Sequence, residues 1–452
     1  QAIRPLPLIT VPGDLAFPQQ RPADNRRRIE SSLDGSLVSP TNYSWNLSFE
    51  RELPHGLLIE TTYIGRAARH LLAGRDAVQP NLNFTDPKSG QTWIDAATIL
   101  EIARANGTPA SAIQPLPFFE NLYAPGTLGC AIVGGAGCAA LTNTQAVYLN
   151  AAFSNGNDWT SIQDELDALS GRRYFYQPQY GALAVYSTIA ASDYHAGTLS
   201  IRERFKDALT LDFNYTLSKS MDDVSGLQTD APFTPFILNA LALKQQRAVS
   251  DFDVRHLVNA NAIWQLPFGR GRKWLSEGGV ANAILGGWQL SSIFRWNSGL
   301  PVEAPLDFGG WPTNWNRRNY TVRIAPIEAN PNRGNGTTPA NLFSDPAAAF
   351  HSFRSGRPGE RGDRNIFRAP GFVTLDLGLG KTWSMPWSER HKLQLRWETF
   401  NVTNTQRLTG VDGFVQALDP FQPSKTPTGS FGNFTAIQGT PRVMQFGLRY
   451  SF

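Results

Sequence analysis

Cysteine is nearly missing from this 452-residue chain: Cys130 and Cys138 are the only two, inside the run GTLGCAIVGGAGCAALTN. Two cysteines exclude a disulfide-built scaffold, and no histidine or second cysteine pair stands at the spacing a zinc site needs. In an oxidising compartment they are expected to form one local disulfide; the competing reading is a pair of unrelated buried thiols. Long apolar runs are absent too. No stretch reaches 18 apolar residues, which excludes a transmembrane helix but not a protein that crosses a membrane with strands. Charge of one sign is also lacking: 41 Lys and Arg against 37 Asp and Glu give +4. The short bands Arg26-Arg27-Arg28 and Arg317-Arg318 are too scattered for the basic footprint of nucleic-acid binding, so no nucleic-acid partner is expected. The six histidines (His55, His70, His195, His256, His351, His391) are dispersed, without an HExxH pair, and no GxSxG elbow or phosphate-binding loop occurs. No catalytic constellation, metal site or cofactor is therefore expected. The chain begins at Gln1, without an initiator Met or a signal peptide, and is read as mature, processed or a fragment.

What the sequence does hold is alternation. Aromatics make up 11% of it, and 40 Gly and 31 Pro supply many turns. In the last segment, RVMQFGLRYSF, Met444, Phe446, Leu448, Tyr450 and Phe452 share one face; Val443, Gln445, Gly447, Arg449 and Ser451 share the other. Period two is the mark of a strand with one apolar face. The same pattern recurs at Tyr43 to Glu50, Leu57 to Tyr63, Thr198 to Phe205, Leu209 to Leu217 and Val258 to Leu266. Leu290 to Trp296, Gly371 to Trp383 and Lys392 to Val402 complete it. That makes about nine strands, each near the ~9–11 residues a tilted strand needs to cross a bilayer.

Connection lengths alternate strictly. Short links fall at 54–56, 206–208, 267–287 and 384–391; long ones at about 66–192, 221–253, 299–370 and 403–440. A soluble sandwich has no reason to segregate lengths this way, whereas a membrane barrel has short periplasmic turns and long outer loops. The expected fold is all-β: an antiparallel transmembrane β-barrel, C-terminal portion, in a bacterial outer membrane. Residues 1–40 are read as an extracellular segment, 41–452 as barrel, and the C-terminus as periplasmic. Asp212, Asp376, Arg396 and Glu398 are expected to face a wet lumen. Trp45, Trp264, Trp288, Trp383 and Trp397 suit interfacial girdles.

Several stretches occur in a telling order: WNLSFERELPHGLLIETTYIGRAARHL, LTLDFNYTLSKSMDD, SDFDVRHLVNANAIWQLPFGRGRKW, LGGWQLSSIFRWNSGLPV, FRAPGFVTLDLGLGKTW, HKLQLRWETFNVTNTQ and GTPRVMQFGLRYSF. Together, from about Tyr43 to Phe452, they resemble the C-terminal barrel of TonB-dependent outer-membrane receptors, specifically the Oar-like group. The resemblance implies a 22-stranded barrel with a plugged lumen and energised uptake of a large or scarce substrate. Implied partners are outer-membrane lipid, the barrel-assembly machinery, a TonB-type energy-coupling complex, and the remaining strands and plug. The aromatic end resembles the signal such barrels present for assembly, here Phe446, Leu448, Tyr450 and Phe452. No plug, TonB box or N-terminal regulatory-like domain is present in the sequence. The alternative function is a surface structural or adhesive protein that uses the barrel to anchor its loops.

Loop residues carry the remaining functional weight. FGGWPTNWNRRNY places Trp311, Trp315, Arg317, Arg318 and Tyr320 together, which suits sugar or peptide capture or, equally, packing over the barrel mouth. The 66–192 loop, with its apolar PLPFFENLY, is expected to be a folded cap. Asp222, Asp223, Asp230, Asp251 and Asp253 are read as solvated charges in preference to a cation site, since their spacing matches no calcium loop. His55 and His391 are read as solvated turn residues, and GRGRK at 269–273 as a turn whose arginines meet lipid headgroups. Arg361-Gly362-Asp363 is read as a coincidental triplet.

Overall fold

The computed structural model describes residues 29–452, except 151–158, 177–179, 181, 206–207, 226–235, 278, 308–318, 336, 386, 413–425 and 428. The alternating segments form nine strands: β1 (Thr41–Leu53), β2 (Leu57–Asp76), β3 (Ala182–Phe205), β4 (Leu209–Asp222), β5 (His256–Gln265), β6 (Trp288–Asn297), β7 (Phe372–Met385), β8 (Ser388–Phe400) and β9 (Val443–Ser451). Each strand pairs antiparallel with the next, giving an up-and-down meander. β1 has β2 as its neighbour on this path, and β9 has β8, so both outer edges lie open among the described residues.

Register ties the sequence pattern to two unlike faces. One row runs Leu209–Trp264–Leu290–Leu379–Trp397–Phe446 across six strands. The adjacent row runs Thr210–Ile263–Ser291–Gly378–Glu398–Gln445 and points the other way. That second face is an open trough of about 540 Å³, bordered by Thr210, Asp212, Asn261, Ser291, Asp376 and Glu398. The first face is bare: Leu47 is 74%, Phe446 76% and Leu448 69% exposed. A continuous apolar wall of this extent is not left facing water.

The short turns are tight because little chain is spent on them. Pro54–Gly56 makes a single 3-10 turn, with Gly56 at φ 82°, and brings Leu53 opposite Leu57. The link expected over 384–391 is shorter than anticipated, since Met385 already pairs with Ser388.

At the opposite rim the strands overrun the expectation. β2 and β3 are 20 and 24 residues long, so the connection placed at 66–192 spans only 77–181. About twice the ~9–11 residues needed for a bilayer are present, and the surplus stands as a two-stranded ribbon beyond the wall. Alternation fails there for a physical reason. Ala73, Asp76, Ala182, Ala184 and Ala190 are all buried, so neither face is free to be polar. The register also shifts between Ala68, Leu71 and Ala73, where His70 adopts φ 57°, the signature of a bulge. Ile29–Leu33, inside the segment read as loop, pairs in parallel with Ala182–Tyr186; residues 1–28 lie outside the described residues.

The two larger apolar cores lie outside the sheet, which holds only a small cluster around Ala73, Ala190 and Ile237. The 77–181 connection folds into helices α1 (Trp93–Ala105), α2 (Pro117–Leu122), α3 (Asn143–Leu149) and α4 (Trp159–Ser170) around Trp93, Trp159, Phe118, Phe119 and Phe175. Thr92 caps α1 through Asp95 N, and Thr142 with Gln145 forms a capping box on α3. A second core, Phe343, Phe350, Phe353, Phe367 and Phe431, belongs to the connections after β6 and β8.

Candidate functional site

The connections after β4 and β6 meet the strand ends through arginines. Arg364 Nη1 lies 2.9 Å from Asp222 Oδ1, and its Nη2 lies 2.9 Å from Asp251 Oδ1. Burial works against the Arg364 charge, but Asp222 and Asp251 outweigh it and hold the guanidinium above its usual range. Arg247 bridges Asp193 and Asp223, and Arg368 pairs with the buried Asp253. The aspartates read as solvated, with a cation as the alternative, are therefore arginine partners. Asp230 lies outside the described residues, and no metal-ligand cluster occurs among the described ones. Helix-like or strand-like periodicity could not have shown this: Arg364 and Asp222 are 142 residues apart.

Beside this network, Arg361 is buried, with its guanidinium 4.8 Å above the Tyr320 ring and its Nε donating to Gln246 Oε1 at 2.5 Å. Burial pulls its pKa down to about 10. The Arg361-Gly362-Asp363 triplet is consequently not displayed. Tyr320 is half-buried and donates its hydroxyl to Glu303 Oε1 at 2.7 Å; burial pushes the Glu303 carboxyl above its ordinary range. Tyr320 thus packs within the loop layer. Trp311, Trp315, Arg317 and Arg318 lie outside the described residues.

A cavity of about 420 Å³ opens between Leu300–Pro305, Leu342–Phe343, the 407–412 segment and Phe431–Gly432. Its walls are mainly apolar, with Arg407 among them. Arg407 heads the hairpin formed by Arg407–Val411 and Phe434–Gln438. Its Nε and Nη2 are shut from solvent and have no hydrogen-bond partner among the described residues. Nothing in the run TQRLTGV distinguishes this arginine, so sequence reasoning passed over it.

Elsewhere Cys130 and Cys138 are joined as a disulfide, Cα atoms 4.8 Å apart, in the helical layer. Phe446, Leu448 and Tyr450 stand on the bare face of β9, and the exposed Phe452 follows its last residue. His391 is in β8 and not in a turn, its Nδ1 2.7 Å from the Tyr450 hydroxyl and its ring stacked near Phe452. The same pairing occurs at the other rim, where the Tyr63 and Tyr215 hydroxyls lie 2.8 Å from Nδ1 of His195 and His256. Trp45 covers Gly65, whose missing side chain leaves the indole its seat: a Cβ there would fall 2.2 Å from the ring.

The sequence matches the model of a family described as the outer membrane beta barrel domain over residues 7–445. The chain belongs to that family. Among solved structures it is similar to the outer membrane transporter YddB from Escherichia coli, at 7% identity and a TM-score of 0.35. The match covers 94% of this chain and 34% of that one, so the chain spans about a third of the transporter's length. No curated protein matches the sequence.

For an outer membrane barrel domain the bare face is the lipid face. Amphipathic Tyr–His pairs near both rims of that face sit where apolar and aqueous phases meet. One cation on it is explained by its surroundings. Lys381, 4% exposed, donates Nζ to Ala283 O at 2.7 Å and Ile284 O at 3.1 Å, carbonyls in the last turn of α5 (Val280–Leu285). Trp288 and Trp383 flank it, at 5.6 and 5.0 Å. Their indole nitrogens donate to the same two carbonyl oxygens. The 267–287 link is longer than the other short turns because it carries the helix end that satisfies this charge.

Proposed function

We propose that this domain is the barrel part of a TonB-dependent receptor of the Oar-like group, importing a large or scarce substrate across the outer membrane. One observation carries the reading: a nine-strand meander with both edges open among the described residues, in the motif order of that group, topped by folded loop layers on one rim only. In hydrocarbon an unpaired strand edge costs several kcal/mol per group, so β1 and β9 call for further strands, as the barrel of such a receptor supplies. On this reading the short turns and C-terminus are periplasmic and the helical and phenylalanine-rich layers extracellular. Phe446, Leu448, Tyr450 and Phe452 then present the assembly signal, and the TonB-type complex acts on a plug carried with the remaining strands. No catalysis is assigned.

The size of the loop layers, each with its own apolar core, favours as a second reading a surface structural or adhesive protein anchored by the barrel. Nutrient-limited growth separates the two. The receptor reading expects a nutrient on which deletion of the gene and loss of the TonB-type coupler give the same defect. A deletion that alters surface assembly while every uptake rate stays at the parental level would reject it.

A further inference from the structure

We propose that the 267–287 link between β5 and β6 is a binding site for an anionic phospholipid, seated at the edge of the lipid face. Lys381 pairs in register with Trp288 and lies two residues beyond Leu379, so it belongs to the bare row. Its bonds to Ala283 O and Ile284 O, with those of the two indoles, therefore hold α5 on the outside of the wall. The wall covers only one side of this helix. Val280, Ile284 and Leu285 remain between 56 and 75% exposed. An apolar helix face continuous with a lipid-facing wall is one that acyl chains cover, as in helices that lie within a membrane interface.

A basic turn adjoins this face. Gly269 packs against the exit of α5, where a Cβ on it would fall 3.0 Å from Gly287 N and 3.3 Å from Asn282 Oδ1. Trp274 N donates to Pro267 O at 3.0 Å and Gly269 N to Trp274 O at 2.8 Å, which closes the turn that carries Arg270, Arg272 and Lys273. Lys273 Nζ lies 4.9 Å from the Trp274 ring, itself 5.2 Å from that of Phe268. Neither Arg270 nor Arg272 has an ion-pair partner among the described residues. Glu277 is the one acidic residue of the link, against three cations. The other short links, 54–56, 206–208 and 386–387, carry no net charge with histidine neutral. Cations beside an apolar helix face match a lipid at both ends: the headgroup meets the turn while the chains follow α5. A zwitterionic lipid fits the apolar half and gains less from the turn.

The inference rests on the receptor reading only for the leaflet, which is then the periplasmic one. Its test uses the full-length protein, cleared of other free thiols, with a fluorophore on Val280→Cys, in phosphatidylcholine vesicles. These carry, at equal minor fractions, acyl-brominated phosphatidylglycerol or acyl-brominated phosphatidylcholine as quencher. Both should quench, with an apparent association constant at least about fivefold higher for phosphatidylglycerol, the worth of one basic residue at an anionic surface. Aqueous iodide should not quench. Arg270→Gln with Arg272→Gln and Lys273→Gln should make the two lipids quench alike. With the turn intact, ~1 M salt should shrink the preference, since exposed charges are then screened within ~3 Å. A substituted protein that neither lipid quenches has lost its seat in the bilayer, and the salt series then decides. Equal quenching by the two lipids with the turn intact, or a preference that survives the substitutions or the salt, overturns the inference. Iodide quenching without lipid quenching overturns it too and leaves the patch to a soluble partner. No import enters these measurements, so their failure leaves the receptor reading standing, and failure of uptake leaves the site standing.

Discussion

Replacing Arg364 tests how the loop layer is fastened to the wall. The Arg364 and Asp222 side chains are each only 4% exposed and 2.9 Å apart, whereas Asp251, the other partner, is 53% exposed. Arg364→Met leaves the Asp222 carboxylate buried without its counter-charge, and breaking a buried pair from one side costs ~3–5 kcal/mol. It also removes a donor from Ser225 Oγ. Asp251→Ala removes a solvent-screened partner and should cost no more than ~1 kcal/mol. The difference is measurable as hydrogen exchange of the Ser250 and Asp253 amides, which bond to Ser220 O and Ser250 O. Arg364→Met should speed their exchange roughly 10²–10⁴-fold, and Asp251→Ala by less than about tenfold. Adding Asp222→Asn to Arg364→Met should recover part of the loss, since the stranded charge is then gone. An Arg364→Met effect no larger than that of Asp251→Ala would refute the reasoning.

Other consequences follow from the same structure. Leu395 on the bare row and Gln394 on the trough row differ only in direction, so Leu395→Arg should lower folding stability in bilayers by ~2–4 kcal/mol while Gln394→Arg changes it little; equal effects would place both residues in water. Burial raises the Glu303 pKa above the ordinary glutamate value of 4.5, so the folded state binds the proton more tightly than the unfolded chain does. Stability of the loop layer should accordingly be highest below 4.5 and fall as pH rises through the folded-state value. A pH series of melting temperatures should show that fall, and Glu303→Gln should remove its contribution. Cys130→Ala with Cys138→Ala opens a link across a sequence separation of 8, worth ~2.5 kcal/mol by loop entropy. Limited proteolysis of the helical layer should speed up accordingly, while the strands stay protected.

The wall was legible in the sequence because one lipid face and one wet face impose a period of two on every strand, as Leu209 to Leu217 shows in its simplest form. The lengths of β2 and β3 were not. Beyond the bilayer Ala73, Ala182 and Ala190 are covered on both sides, and the alternation that announces a strand has no cause there. PLPFFENLY announced a folded cap, and its Phe118 and Phe119 are fully buried in one, but the helices themselves lacked a clean apolar stripe. The arginine network was invisible for another reason. Arg368 finds Asp253 across 115 residues, a pairing set by the meander and by no local spacing. Lys381 shows the reverse case: a charge on an apolar face that reads as an error in the strand and is resolved by a helix end 98 residues earlier.

The claim on which all of this depends is that alternate residues of β9 touch lipid. Spin labels placed singly along Val443–Ser451 in the full-length protein, reconstituted in bilayers, would report collision with oxygen, which concentrates in hydrocarbon, and with a water-soluble nickel chelate. The account predicts oxygen maxima at Met444, Phe446, Leu448 and Tyr450 and chelate maxima at Val443, Gln445, Gly447 and Arg449. Chelate access at every position, or an oxygen profile without period two, would contradict it.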